Sequence, residues 1–386
     1  MQLSADDQDR LLSDGTAALQ QGRIAEARTR FEQLTGEGSD NPTAWLMLAI
    51  ACRYGTDLAA EETALGRLLE LDPRSVLGLV MKGDCRAGSN DETGAIYFYR
   101  AALRNAAGLD LPADVATEVR RAERTLTELN DRAHARREAV LVRAGMPPEN
   151  WSRRLKQSLD LAADRKQLYL QQPTIFYYPE LPHVQFFDPA GFDWVPELEA
   201  ATAAIRDELV ALLEDGTDDF RAYIQAGQES VRLDANKALV GAKDWSALFL
   251  AENGAPVPDV IERCPRTWAA LQRAPLLDIP GRAPTAMFSL LKAGARIEPH
   301  TGMFNTRLVC HLPLIVPPGC CFRVGNEVRE WQVGKLMIFD DTIEHEAWND
   351  SNEDRMLLIF DIWRPELSEQ EQREIDALFS GPTMRA

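Results

Sequence analysis

Histidine is scarce in this 386-residue chain, five in all, and three of them, His300, His311 and His345, fall within one stretch of 46 residues. Imidazole serves as acid, base or metal ligand near neutral pH, so that concentration is a chemical signal. His300 and His345 each sit in a distinctive turn-like string, Glu298-Pro299-His300-Thr301-Gly302 and Phe339-Asp340-Asp341-Thr342-Ile343-Glu344-His345-Glu346. Two neutral imidazoles brought together across the mouth of a jelly roll would suit a redox-active Fe(II), which accepts nitrogen ligands and leaves positions open for other molecules. His134 and His183 have no such company and read as ordinary core or surface residues. No G-x-S-x-G elbow, G-x-x-x-x-G-K-[ST] loop or G-x-G-x-x-G turn occurs, which leaves hydrolase, P-loop and dinucleotide-binding readings without a motif.

The text around the three histidines predicts the scaffold. From Thr285 onward, short apolar runs appear at Ala286–Lys292, Thr306–Val316, Cys320–Val324, Lys335–Phe339, His345–Trp348 and Arg355–Trp363, broken by Gly, Pro, Asn and Asp. Many short strands at such spacing predict a double-sheet jelly roll. Upstream, Val195, Leu198, Ala201, Ile205, Leu209 and Leu212 form a helical stripe. The first third carries a period of 34 residues instead: small residues at Gly15, Ala49 and Gly83, large ones at Phe31, Leu65 and Tyr99, apolar ones at Leu11, Trp45 and Leu79. That pattern resembles the tetratricopeptide repeat, although Glu61 breaks the small-residue position held by Ala27 and Ala95. Residues 113–144 read as a capping helix, Met146-Pro147-Pro148 stops it, and a linker helix leads to Gln172-Pro173. The expected architecture is α+β and multidomain: a repeat array over 1–112, capping and linker helices over 113–172, and a jelly-roll domain with flanking helices over 173–386.

Sixty acidic against 42 basic side chains leave a formal charge of −18, which repels phosphate backbones and anionic headgroups, so neither nucleic acid nor a membrane surface is an expected partner. The opening MQLSADDQDR lacks a basic and apolar leader, and six cysteines without paired spacing read as reduced thiols; both point to the cytoplasm. Stacked helix pairs form a concave groove, so the repeats are expected to recruit a peptide or protein substrate.

Residues 173–365 resemble the aspartyl/asparaginyl β-hydroxylase family of Fe(II)/2-oxoglutarate dioxygenases. The blocks that carry the likeness are Trp245-Ser246 in KDWSALFLAENG, Ser289 in MFSLL, HTGMFNTRLVCHLPL from His300, FRVGNEVREWQVGKLMIFDDTIEHEAWND from Phe322, and RMLLIFDIWRP. The resemblance implies His300 and His345 as iron ligands, Trp245, Ser289, His311 and Arg355 around 2-oxoglutarate, and hydroxylation of an unactivated carbon, foremost the β-carbon of Asp or Asn in a peptide or protein. Physical chemistry agrees for two of these, since a buried dicarboxylate needs a permanent cation and a hydroxyl donor, which Arg355 and Ser289 supply. Fatty-acyl hydroxylation and a catalytically silent jelly roll in an interaction protein are the alternatives.

Two positions invite closer reading. Gly302 stands two residues after His300, where many iron dioxygenases place a ligating carboxylate; a turn needing glycine's positive φ would explain it, with Asp341 as the carboxylate that holds a water in the gap. Val309 stands where the family usually has an arginine two residues before the second cofactor histidine. Strand alternation puts Arg307, Val309 and His311 on one face, so Arg307 is the candidate to neutralise an acid group in its stead; the competing reading is a rim charge paired with an acidic neighbour.

Overall fold

The structure is a computed structural model that describes residues 4–36, 39–214, 216–217, 219–225, 239–279 and 281–380. The chain divides into two compact units, Met1–Lys166 and Gln167–Ala386.

The first unit is helical: α1 (Ala5–Gln20), α2 (Ile24–Thr35), α3 (Pro42–Tyr54), α4 (Leu58–Leu71), α5 (Val76–Gly88), α6 (Glu92–Ala106), α7 (Ala113–Arg143) and α8 (Arg153–Ala162). Helix starts are written locally: Asn41 caps α3 with Pro42 behind it, and the Asp57 and Asp91 carboxylates accept from the backbone N–H groups of Ala60 and Gly94. Helices pack as the pairs α1–α2, α3–α4 and α5–α6, and α7 lies on α5 and α6. The 34-residue period is a packing period. A Cβ added at Gly15 would come within 2.6 Å of the Phe31 ring, and one at Gly83 within 2.6 Å of the Tyr99 ring. The small residue therefore sets how closely two helices approach, and the large one fills the space it leaves. Glu61 is tolerated inside because Arg53 of α3 reaches it, Nε to Oε1 at 2.7 Å, while also holding Asp84 at 2.9 Å.

The second unit is built on two antiparallel sheets. Its strands are β1 (Phe186–Phe187), β2 (Arg221–Ala222), β3 (Trp245–Glu252), β4 (Ala255–Pro256), β5 (Ala286–Leu291), β6 (Arg296–His300), β7 (Arg307–Ile315), β8 (Cys320–Val324), β9 (Glu327–Glu330), β10 (Met337–Phe339), β11 (His345–Asn349) and β12 (Arg355–Trp363). The larger sheet runs β1-β10-β7-β12-β5-β3-β2 with β4 on β3, and the smaller runs β6-β11-β8-β9. Among the described residues five helices accompany them: α9 (Val195–Ala200), α10 (Thr202–Glu214), α11 (Pro258–Arg263), α12 (Pro265–Leu271) and α13 (Glu369–Ser380). Strands β7 and β12 read as continuous apolar runs because both of their faces are covered. Leu308, Cys310, Leu358 and Phe360 pack outward on Leu198, Ile205, Leu209 and Leu271 of the helices. Val309, Leu357 and Ile359 face inward toward Ile297, Phe322 and Ala347 of the smaller sheet. This is the expected jelly-roll-like arrangement following tetratricopeptide-like helices. Strands β3, β6 and β9 were not expected. The RIEPH text of β6 and the EVRE text of β9 are too polar and short to announce themselves.

The loop from Asp340 to Glu344 is fastened by a buried ion pair. Arg364 and Asp340 have fully buried side chains and meet at 2.7 Å. Arg364 also donates to the carbonyls of Asn305 and Pro182, while Asp340 accepts from Gln171 Nε2 at 2.6 Å and from Thr342 Oγ1 at 2.6 Å. Among the described residues no helix is long and apolar enough to cross a membrane.

Two stability predictions follow from this packing. Gly83→Ala drives a methyl into the buried Tyr99 ring and should cost ~1–3 kcal/mol, whereas Gly66→Ala, with nothing within 4 Å of the new Cβ, should gain ~0.5–1 kcal/mol; urea melts of the two variants should move in opposite directions. Arg364→Ala strands the buried Asp340 carboxylate and should cost ~3–5 kcal/mol. A measured loss under about 1 kcal/mol would mean that the loop is held by other contacts.

Candidate active site

His300 ends β6 and His345 opens β11, and the two residues are direct partners across the antiparallel pair. Their ring centroids lie 4.2 Å apart. Each ring is oriented by its own chain: Nδ1 of His300 sits 2.8 Å from the Glu298 carbonyl, and Nδ1 of His345 sits 3.0 Å from the Ile343 carbonyl. A carbonyl only accepts, so each Nδ1 carries a proton, and Nε2 is the nitrogen that the neutral ring would offer to a metal. The β6–β11 register shifts just after His345, a bulge of the kind that re-aims side chains beside functional sites. Among the described residues no group of three or more His, Cys, Asp or Glu is placed to hold a metal.

Deeper between the sheets, Arg355 opens β12 and is 1 % exposed. Its Nε and Nη1 have no hydrogen-bond partner among the described residues. Burial pushes its guanidinium down to about 9, still charged at neutral pH. Ser289 of β5 is fully buried and receives a hydrogen bond from Trp245 Nε1 at 3.2 Å, and Trp245 itself stacks on Tyr223 with ring centroids 4.1 Å apart. His311 of β7 packs among Phe322, Phe339 and Trp331, and its Nδ1 has no hydrogen-bond partner among the described residues. Burial, with help from the Arg355 charge, holds the His311 imidazole well below its ordinary range, hence neutral. A buried cation without a counter-ion is expensive. Arg355 lines the same cavity as the Ser289 hydroxyl and the His311 imidazole.

Gly302 and Asp341 explain one another. The Gly302 N–H donates to the Asp341 carbonyl at 2.6 Å, and a Cβ at 302 would lie 2.0 Å from Asp341 Oδ2. The expectation of a positive φ at Gly302 is wrong: it is not among the left-handed glycines, and what demands glycine is the carboxylate packed against its Cα. There is also no space for a ligating side chain at 302 while Asp341 stays where it is. Arg307 likewise departs from expectation. It donates from Nη2 to Asp341 Oδ2 at 2.7 Å and from Nη1 to Asp361 Oδ2 at 2.6 Å. Burial opposes its charge, but the two carboxylates outweigh that and hold the guanidinium above its usual value. Arg307 is therefore paired with acidic neighbours, as the competing reading had it, but inside the cavity instead of at a rim. It is not a spare cation standing in for an arginine at Val309.

All eight residues singled out from the sequence, Trp245, Ser289, His300, Arg307, His311, Asp341, His345 and Arg355, line one cavity of about 930 Å³. Trp331, whose ring lies 4.8 Å under the Arg355 guanidinium, and Asp361 also line it and were missed. Asp361 left a trace: it shares the inward face of β12 with Arg355, Leu357 and Ile359, a lone acid at a period of two in an apolar run.

Residues 199–365 match the family described as Aspartyl/Asparaginyl beta-hydroxylase, and residues 12–73 match the tetratricopeptide repeat. Among curated relatives, an ornithine lipid ester-linked acyl 2-hydroxylase of Rhizobium tropici is 36 % identical over 193 residues, 49 % of this chain and 63 % of that protein. The aspartyl/asparaginyl beta-hydroxylase of Homo sapiens is 33 % identical over 186 residues, 48 % of this chain and 23 % of that protein. The human aspartate beta-hydroxylase domain-containing protein 2 is 29 % identical over 217 residues, 55 % of this chain and 56 % of that protein. The chain spans less than two thirds of the length of each. The region that matches the hydroxylase family model lies in the second unit, with the paired histidines and the buried Arg355, and the region that matches the tetratricopeptide repeat lies in the first.

Proposed function

We propose that this chain is an Fe(II)- and 2-oxoglutarate-dependent hydroxylase acting on an unactivated carbon, and that its repeats recruit a peptide or protein partner. The observation that carries this reading is the buried Arg355 guanidinium, whose Nε and Nη1 have no hydrogen-bond partner among the described residues, in the same cavity as two histidines whose Nδ1 atoms lie against backbone carbonyls. Bound iron would supply the oxidising chemistry, in which O₂ and 2-oxoglutarate give succinate, CO₂ and one oxygen atom for the substrate. His300 and His345 would hold the metal through Nε2. Arg355 would bind the distal carboxylate of 2-oxoglutarate in the manner of an arginine fork, with the Ser289 hydroxyl, oriented by Trp245, beside it. His311, held neutral, can accept or donate one hydrogen bond there without adding charge. Asp341 Oδ1, buried and without a partner, is the acceptor available to a water completing the two-histidine site. The surrounding aromatic wall of Phe322, Trp331 and Phe339 keeps bulk water out and strengthens each of these contacts.

Removing either histidine, His300→Ala or His345→Ala, should abolish iron-dependent succinate formation and lower bound iron, while His183→Ala, an exposed residue, should behave as wild type. Wild-type turnover in either of the first two variants would move the metal elsewhere. A chain that neither binds Fe(II) with 2-oxoglutarate under anaerobic titration nor makes succinate would be the interaction protein with a silent jelly roll.

Arg355→Ala should weaken 2-oxoglutarate binding by about two to three and a half orders of magnitude, since a buried carboxylate that loses its charged partner costs ~3–5 kcal/mol. Calorimetric titration of the dicarboxylate into this variant is the direct measurement. Unchanged affinity would place the dicarboxylate away from Ser289 and Trp245.

A further inference from the structure

We infer that Phe379, at the end of α13, closes the substrate end of the cavity and fixes how large a group can extend past the reacting carbon, which makes it a specificity-determining residue of the reaction proposed above. The inference rests on that reading in taking this cavity as the reaction chamber.

Helix α13 begins beyond residue 365, where the match to the hydroxylase family model ends, yet it supplies Phe379 and Ser380 to the cavity lining. Its sequence, EQEQREIDALFS, is mostly polar, and Ile375 and Phe379, four residues apart, form the edge that it buries. The helix start is pinned separately. Ser368 and Glu371 make a capping box, the Ser368 N–H donating to Glu371 Oε2 at 2.8 Å and the Glu371 N–H to Ser368 Oγ at 3.3 Å. Tyr178 Oη donates to Glu371 Oε1 at 3.1 Å. At the far end, Phe176 and Phe304 meet the Phe379 ring edge to face, with centroids 5.2 and 5.1 Å away, and the Arg282 guanidinium lies 5.2 Å from its centroid. Held from three sides and 2 % exposed, the ring is a fixed wall.

A chain of contacts places that wall relative to the histidines. On one side of them Phe322 lies 5.9 Å from the His345 ring and stacks on Trp331, which carries the Arg355 guanidinium. On the other side the Gly302 N–H is tied to the Asp341 carbonyl, Asp341 holds Arg307, and Arg307 lies 5.9 Å from the centroid of Phe304, on which Phe379 packs. A dicarboxylate on Arg355 therefore occupies the end away from Phe379. The space between Asp341 and Phe379 is left to the group that is oxidised. Because the interior is close-packed, a ring removed at 379 adds its own volume to that space, and a larger ring takes volume away.

The test uses the full chain, as wild type, Phe379→Ala and Phe379→Trp, with Fe(II) and 2-oxoglutarate under anaerobic conditions. Two uncharged fluorescent probes, naphthylmethanol and the larger pyrenylmethanol, serve as a ruler, and the readout is the ratio of their dissociation constants. In Phe379→Ala the ratio should shift toward pyrenylmethanol by about tenfold or more. In Phe379→Trp it should shift toward naphthylmethanol. Affinity for 2-oxoglutarate, measured by calorimetry, should stay within about threefold of wild type in both variants, whereas general damage to the packing would lower it together with the binding of both probes. An unchanged ratio, a shift in the same direction in both variants, a larger fall in 2-oxoglutarate affinity, or binding of neither probe by any of the three proteins would overturn the inference. The two variants are expected to move the ratio oppositely, so loss of folding in one leaves the other to decide. A wild type that binds neither Fe(II) nor 2-oxoglutarate sinks the parent reading, whereas one that binds both while the ratio stays fixed sinks only this inference.

Discussion

A charge taken out of water must find its opposite, and two arginines nine residues apart in sequence show both ways of meeting that demand. Arg364, just beyond β12, has a fully buried side chain and is met inside the protein by Asp340 and two backbone carbonyls. Arg355, at the start of the same strand, is almost as deeply buried, and its Nε and Nη1 have no hydrogen-bond partner among the described residues. The first pair fastens the loop that brings Asp341 and His345 to the cavity. On the proposed function, the second would be met by an anion from outside. Folding and binding would then use the same electrostatic penalty, repaid internally at one end of β12 and left to a ligand at the other.

The local geometry of the histidines is economical in a different sense. Each imidazole is oriented by the carbonyl two residues before it, so the correct tautomer is written into a short stretch of chain and does not depend on distant side chains. What depends on distance is bringing the two rings together, and that is done by the β6–β11 ladder and its register shift. The histidine half of the site is therefore assembled by backbone, and the half around Arg355 by side chains projecting from β3, β5, β7 and β12 of the larger sheet.

How much of this could be read in advance follows from the range of each interaction. The small and large residues of the repeats announce themselves because Gly15 meets Phe31, and Gly83 meets Tyr99, within one repeat. The long strands β5, β7 and β12 were legible because burial on both faces leaves an apolar run. Alternation placed Arg307, Val309 and His311 on one face correctly, but could not supply the partners of Arg307: Asp341 and Asp361 lie 34 and 54 residues away. Gly302 was misread for the same reason. A glycine required by a turn and a glycine required by a carboxylate 39 residues further on look alike in one dimension. Glu61 seemed to break a packing rule until its arginine on the preceding helix was seen.

The contact between Gly302 and Asp341 also bears on how such a site could change over generations. A carboxylate projecting from position 302 and the one projecting from position 341 would compete for the same volume, since a Cβ at 302 already falls 2.0 Å from Asp341 Oδ2. Passage between a two-nitrogen site and one with a third, anionic protein ligand is consequently not a single step in sequence space. Either substitution alone leaves a clash or a void, and a void would also release Arg307 from one of its two acids. The two positions are epistatic, and the bare glycine works as a ratchet: once a neighbouring carboxylate has settled into the space beside it, the open design is kept until both change together.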